Sequence, residues 1–365
     1  MMAATAMSKL FDSLTGYFFS GNATSSTAGY ASADDSVDEY AERRSGPAGP
    51  SRSPRLRDRL LLRRPVSREV RGDGARPAPV APSAGHAGGL KPWGDDLVAS
   101  PRIHPLAVID PRADLAPDVE VGPFCVIGPH VSIGPGCRLM NNVTILGHTT
   151  IGSDNVFHPN CVVGNDPQDK KFRGEETRVT LGDRNIVREA VTIHAGTAVG
   201  GGVTRVGDDN LLMVNAHIGH DAIVGSGCVI GNNVMLAGHV HLGDRVSMMG
   251  GSACHHFVTI GDLAFVGGYS QIHKDIPPYV KVDGEDRIRD VNGVGLRRAG
   301  GFSEADIAAL QFTVRRMFVS KKQPVSVVIR EMLADPQLNP RAREVIDTIR
   351  RRALGKHGRY LEGNR

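Results

Sequence analysis

Histidine recurs at positions 217, 220, 239, 255 and 256, and Asp221 directly follows the second of these. An imidazole is the natural general base near neutral pH, provided a partner fixes its tautomer and supports the imidazolium. Asp221 suits that role if the chain turns a corner beside it; plain strand alternation would point it to the opposite side. The same imidazoles could hold zinc, which binds histidine nitrogen at about 2.0–2.1 Å. None of these residues falls on an aliphatic repeat position, so core packing does not explain the clustering. A lone surface histidine carries no message, whereas a row of them marks a site.

The element that must position them is a repeat. From Val206 to Ile272 an apolar residue returns at every sixth position, through Leu212, Ile218, Val224, Ile230, Leu236, Leu242, Met248, Cys254, Ile260 and Val266. Two residues before these positions stands something small or medium, as at Ala216, Ala222, Cys228 and Val234. A six-residue period fits neither the 3.6 of a helix nor simple alternation. It implies a β-helix with flat sides and sharp corners. Three sides make a coil of eighteen residues, so residues eighteen apart stack at about 4.8 Å. His220 then lies one coil from Gly238 and His239, and His239 about one further coil from His256, with His255 beside it. The expectation is a column of His220, His239 and His256 along one edge of a prism.

Earlier in the chain the same ladder runs without a miss from Ile103 to Val163, breaks at Asn165–Arg178, and resumes at Leu181, Val187 and Ile193. Because Val163 and Leu181 are eighteen apart, the break reads as a projecting loop that replaces one coil's worth of sequence. A second break, 196–204, contains Gly200, Gly201 and Gly202. No Lys-Ser/Thr and no helix follow, which counts against a phosphate loop and favours a flexible one. Pro277 and Pro278 exclude further ladder pairing and end the solenoid. Ser303 with Asp306 forms a capping-box start for a helix with an apolar stripe of Ile307, Leu310, Val314 and Met317. Further helices are expected at 325–334 and 341–354. The fold class is therefore an all-β solenoid followed by a small C-terminal α-helical domain, divided as 1–95 (leader), 100–280 (β-helix) and 296–365 (helical). Arg315, Arg316, Lys321 and Lys322 give that last domain a basic face, which is either simply solvated or a dock for an acidic partner.

Composition narrows the class. The 365 residues are 40% hydrophobic and only 5% aromatic, with 44 glycines, which suits a core of small and branched side chains. A net charge of +4 gives no general affinity for nucleic acid. The five cysteines all fall on inward repeat positions and read as buried, reduced packing residues. No apolar run approaches the roughly 20 residues that cross a bilayer. Residues 1–95 are rich in Ser, Ala, Gly, Pro and Arg, with ten arginines from Arg43 to Arg71. Such leaders are typical of organelle transit peptides, although Asp34, Asp35, Asp38 and Glu39 run against the usual scarcity of acids. Mitochondrion is the first expectation and plastid the second.

Several stretches carry a specific resemblance: Gly164-Asn165-Asp166-Pro167-Gln168-Asp169-Lys170-Lys171, Gly182-Asp183-Arg184-Asn185, Thr192-Ile193-His194, Asp209-Asn210-Leu211-Leu212-Met213 and Asn215 to Asp221. Together they resemble the acyl-carrier-protein-dependent UDP-N-acetylglucosamine O-acyltransferases that begin lipid A biosynthesis. The resemblance runs from about Ile103 into the C-terminal helices. It implies a left-handed parallel β-helix, against the usual right-handed preference, and a homotrimer with active sites between neighbouring solenoids. It implies UDP-N-acetylglucosamine and acyl carrier protein as partners. No cofactor or metal is implied, the carrier-protein thioester being a substrate.

By that resemblance His220 is the general base for the sugar 3-hydroxyl, Asp221 orients it, and the Gly238 N–H donates to the thioester oxyanion. Asp169, Lys171, His217, His239, His255 and His256 line the sugar-nucleotide and acyl sites. Asn292 and Arg298 match the stretch that reaches the diphosphate. Gly268 matches the floor of the acyl groove, where the missing side chain leaves room for a longer chain. His256 replaces a glutamine common in bacterial members, Val294 stands where an acid is expected, and the connection 285–295 is one residue shorter. The departures fall on nucleotide contacts, and the thioester machinery is complete. Three other readings compete: a zinc-dependent carbonic-anhydrase-like solenoid, a catalytically silent assembly module, and the N-acyltransferase of the same pathway. The loop bearing Asp169 and Lys171 and the ladder start at Ile103, with no uridine-binding domain before it, favour the O-acyltransferase over the last.

Overall fold

The computed structural model describes residues 102–320 and 322–363. The expected leader, and Lys321 of the basic cluster, lie outside them. The chain winds into a left-handed parallel β-helix whose three faces are sheets of 11, 9 and 8 strands. One turn shows the plan. Leu211–Leu212 lies on the first sheet, His217–Ile218 on the second and Ile223–Val224 on the third, and Val229–Ile230 returns to pair in parallel with Leu211–Leu212. Leu212 therefore stacks on Ile230, eighteen residues on. Every sixth side chain points inward, and Ile127, Ile145, Ile193, Leu212, Ile218 and Ile230 are fully buried in this way. Strands of two residues bury little individually; the stacked columns make one continuous core.

Corners connect the faces, and several take left-handed backbone. Asn142, Asp154, Asn160, Asp209, Asn215, Asp221 and Asn233 all have φ between 56° and 67°. Asn and Asp tolerate this region better than other side chains.

The first interruption departs from the sequence expectation. Leu181 stacks on Ile151 and Ile193 on Val163, each thirty residues away, so the loop is inserted within a coil and replaces none. Val163 and Leu181 lie on different sheets. The insertion adds twelve residues to an eighteen-residue coil, and twelve is two hexapeptides, so the ladder keeps its phase and counting alone misassigns the pairing. The second interruption gives itself away, because Leu181 pairs with Val206 at a spacing of 25.

Inside the prism a polar column replaces aliphatic packing for three coils. The Asn155 side-chain oxygen accepts from the Asn185 N–H at 2.9 Å and from its Nδ2 at 3.0 Å. The Asn185 oxygen accepts from the Asn210 N–H, and that of Asn210 from the Cys228 N–H. The five cysteines are free and buried, and burial raises their thiols above the ordinary range, those of Cys161 and Cys228 to about 12.

The two prolines end less than expected. Beyond them Val280–Asp283 pairs in parallel with Phe265–Val266, and Arg287–Val291 returns antiparallel to it. Pro277 and Pro278 occupy the connection and leave the next strand's donors intact. Helices follow at Gly293–Ala299, Glu304–Val314, Val325–Leu333 and Pro340–Leu354. Ser303 and Asp306 form a reciprocal capping box, and Ile307, Leu310, Val314 and Met317 are buried.

Candidate active site

Asp221, His239 and Phe257 occupy the same left-handed corner on three successive coils, with φ of 58°, 62° and 66°. The corner at Asp221 removes the objection from alternation. It swings the carboxylate back so that Oδ2 lies 2.8 Å from His220 Nδ1. The same carboxylate accepts the Thr197 N–H on Oδ1 at 2.8 Å and the Thr197 hydroxyl on Oδ2 at 2.7 Å. The Asp221 N–H donates to Thr204 Oγ1 at 2.8 Å. His220 is 8% exposed and Asp221 3%, so this network is shielded from solvent.

The electrostatics select a tautomer. Burial alone would raise the Asp221 carboxyl, but the bonds from His220 and Thr197 and the nearby His239 outweigh it and hold the group below the ordinary carboxylate range. An ionised carboxylate only accepts, so His220 Nδ1 carries the proton and Nε2 presents its lone pair. Gly238, one coil above, leaves space for that ring. A Cβ there would stand 2.9 Å from Nδ1 and closer still to Cε1 and Nε2. The Gly238 N–H meets no acceptor among the described residues.

The expected histidine column is only partly formed. His239 packs edge-on against His220, with centroids 5.0 Å apart. Its next neighbour is Phe257, stacked at 4.4 Å, and not His256. Eighteen residues from His239 is Phe257, whereas His256 stands over Gly238 and packs against His255 at 5.3 Å. His217, on the adjoining face, accepts or donates at Nδ1 to Thr192 Oγ1 at 2.8 Å and meets His194 edge-on at 5.2 Å. Burial, and then His194 and His220, push the His217 imidazole down to about 4. His194 is tied through Nδ1 to the Asp166 carbonyl at 2.6 Å, which fastens the base of the inserted loop to this histidine pair.

This arrangement can be set beside known proteins. Residues 275–357 match the family described as UDP-N-acetylglucosamine O-acyltransferase, domain 2, and residues 130–165 and 203–238 match the bacterial transferase hexapeptide family. An acyl-[acyl-carrier-protein]–UDP-N-acetylglucosamine O-acyltransferase of Stenotrophomonas maltophilia is 45% identical over 223 residues, covering 60% of this chain and 84% of that protein. The namesake enzyme of Agrobacterium fabrum is 38% identical over 257 residues, covering 69% of this chain and 93% of that one. The chain belongs to the UDP-N-acetylglucosamine O-acyltransferase family. Solved structures agree. LpxA from Acinetobacter baumannii superposes with a TM-score of 0.63 at 39% identity, covering 67% of this chain and 95% of that one. The Arabidopsis UDP-N-acetylglucosamine acyltransferase does so with 0.60 at 32% identity, covering 68% and 96%.

Within this acyltransferase framework the other expected residues are dispersed. Asp169 and Lys171 lie on the inserted loop, where the Asp169 carboxylate accepts the Lys171 N–H at 2.9 Å. His255 and His256 are exposed on the coil above Gly238, and exposed Gly268 has only Gly250 O, at 3.3 Å, and Met249 Cβ, at 4.0 Å, facing a Cβ built on it. Asn292 is turned inward: Nδ2 donates to the Leu263 carbonyl at 2.9 Å, and Oδ1 caps the following helix through the Gly295 N–H at 3.2 Å. That helix carries Arg298 on its exposed side.

The carbonic-anhydrase-like alternative can be tested on the donor set. His220, Asp221 and His239 offer ligand atoms within 4.8 Å of one another. Yet Asp221 Oδ2, the oxygen facing both rings, already takes two hydrogen bonds, and His220 faces it with a protonated Nδ1. Zinc would have to displace both, so the residues fit a proton-transfer pair better than a metal cage. Two participants were not singled out from sequence, Thr197 and Thr204, and His194 entered only as the end of the Thr192-Ile193-His194 stretch. The segment 196–204, expected to be a flexible loop, forms a 3₁₀ turn at Ala198–Gly200 capped by Thr197. A glycine run beside a Thr was the available signal.

Proposed function

We propose that this chain transfers a (3R)-3-hydroxyacyl group from acyl carrier protein to the 3-hydroxyl of UDP-N-acetylglucosamine, the first step of lipid A biosynthesis. His220 Nε2 takes the proton of the sugar 3-hydroxyl as that oxygen attacks the thioester carbonyl. The oxyanion of the tetrahedral intermediate is received by the Gly238 N–H, a preorganised donor of the kind that contributes several kcal/mol to a barrier. Collapse breaks the carbon–sulfur bond, and the imidazolium returns its proton to the departing phosphopantetheine thiolate. The products are the 3-O-acyl sugar nucleotide and the free carrier-protein thiol. One observation carries this reading: His220, held at 2.8 Å by an ionised Asp221, faces a glycine whose N–H has no acceptor among the described residues.

The rest of the reading follows the family. Asp169, Lys171, His217, His239, His255 and His256 contact the sugar nucleotide and acyl chain, and Gly268 floors the acyl groove. Arg298 faces the diphosphate, with Asn292 fixing the start of its helix. No cofactor takes part. The working form is a homotrimer with sites between neighbours. The leader directs it to an organelle of a plant-like cell, the mitochondrion before the plastid. The test is product mass from UDP-N-acetylglucosamine and a series of 3-hydroxyacyl carrier proteins, with His220→Ala beside the native enzyme. Acylated nucleotide sugar that vanishes in the variant is expected, and absence of product with every donor would overturn the assignment.

A further inference from the structure

The glycine-rich interruption 196–204 leaves the hexapeptide pattern and adds seven residues to a coil, since Leu181 pairs with Val206 at 25 instead of 18. Its contacts converge on one group. Thr197 gives Asp221 both a backbone N–H and a hydroxyl, one to each carboxylate oxygen. The Thr197 hydroxyl in turn accepts from the Gly200 N–H at 3.1 Å, which steers its proton toward Asp221. Gly200 itself lies flat against the carboxylate, and a Cβ there would overlap all three carboxylate atoms. A Cβ at Gly196 would reach Oδ1 at 2.8 Å. On the other side Thr204 Oγ1 accepts the Asp221 N–H. Thr197 and Thr204 are 6% and 0% exposed, so water does not substitute for either.

We infer that the interruption is a carboxylate cradle, and that Thr197 is a positioning residue that acts through Asp221 to hold His220 in the tautomer with a free Nε2. The inference rests on the proposed transfer reaction and deepens it. A carboxylate bound only by His220 can rotate and take up a proton. Bound at both oxygens by Thr197, it has one orientation and stays an acceptor. The titratable groups facing it are His220 on its own turn and His239 on the next coil, with Nε2 3.7 Å from Oδ2. Without the threonine hydroxyl, burial gains ground against the remaining hydrogen bonds, and protonation of Asp221 begins at higher pH.

The experiment compares native enzyme with Thr197→Val and Thr197→Ser, using UDP-N-acetylglucosamine and the best 3-hydroxyacyl carrier protein. The valine variant should lose about 10- to 100-fold in kcat with KM for the sugar nucleotide within about twofold, the usual size for an outer partner of a catalytic group. Its acid limb in the kcat profile should move to higher pH. The serine variant should restore both rate and limb. A merely structural threonine would change melting temperature and yield but leave the limb in place. If valine does not fold, Thr197→Ala replaces it, and the pH limb is again the deciding readout. Native turnover with an unchanged limb in the variant overturns the cradle and leaves the transferase intact; no native turnover overturns the transferase itself.

Discussion

Gly238→Ala adds one methyl group at the point where two proposed roles meet. The new Cβ would lie 2.9 Å from His220 Nδ1 and nearer to Cε1 and Nε2, against about 3.5 Å for an unstrained contact. The backbone at 238 is not left-handed, so the substitution brings no conformational penalty of its own. Relief must come from the ring, which has to retreat on the order of 1 Å from its bond to Asp221 or from the substrate. A misplacement of about 1 Å in a catalytic group costs about 100-fold, or roughly 2.7 kcal/mol of barrier. Stability should change far less, because alanine also restricts the unfolded chain by about 0.4–1 kcal/mol. The assay is initial rate against sugar nucleotide with product read by mass, alongside a thermal melt. A fall in kcat of about 100-fold or more with little change in the melt is expected. Retention of more than half the native kcat in a well-folded variant would refute the claim that Gly238 is a glycine for the sake of the His220 ring.

Two stability predictions follow from buried polar groups. Because His217 is pushed down to about 4, the unfolded chain binds a proton between about pH 6.5 and 4 that the folded chain refuses. Its contribution is therefore complete above pH 6.5 and lost as pH falls through that window, by at most about 3.4 kcal/mol and by less once solvent screening of this half-buried ring is counted. His217→Gln should flatten the decline in melting temperature between pH 7 and 5, and an unchanged slope would remove His217 from the account. Asn155→Leu would strip the acceptor from two Asn185 donors and the donor from the Gly182 carbonyl, bonds of 2.9, 3.0 and 2.8 Å. A loss of roughly 3 kcal/mol or more, read as a lower denaturant midpoint, is expected, and a native midpoint would mean that the asparagine column is dispensable.

Most of the scaffold was legible because a β-helix writes its tertiary contacts into local spacing. Leu212 and Ile230 touch for the same reason that they are eighteen residues apart. The inserted loop defeated that rule: twelve added residues preserve a six-residue phase while changing the next-coil partners of Ile151, Phe157 and Val163. The stack of His239 on Phe257 in place of His256 was readable from the same arithmetic, since 257 and not 256 is eighteen beyond 239. Thr197 was out of reach of it. It meets Asp221 across 24 residues that include an interruption with no period. The inward turn of Asn292 was likewise hidden, because a helix cap and a ligand contact call for the same residue type.

The consecutive order of His220 and Asp221 then becomes a consequence of architecture. On a flat strand, neighbours point to opposite faces and cannot pair. A left-handed corner turns one of them through the angle that brings the carboxylate to Nδ1, and aspartate is among the few side chains that enter that conformation cheaply. The next coil must then present no side chain where the ring stands, which Gly238 satisfies. The carboxylate, once buried, needs donors that strands cannot spare, because their N–H groups are committed to the ladders. The extra backbone must come from outside the repeat, and the interruption that ends in Thr204 supplies it. On this reasoning the loop that spoils the hexapeptide pattern and the dyad that it touches form one device, and removing seven residues to restore an eighteen-residue coil would perfect the solenoid while leaving Asp221 unsupported.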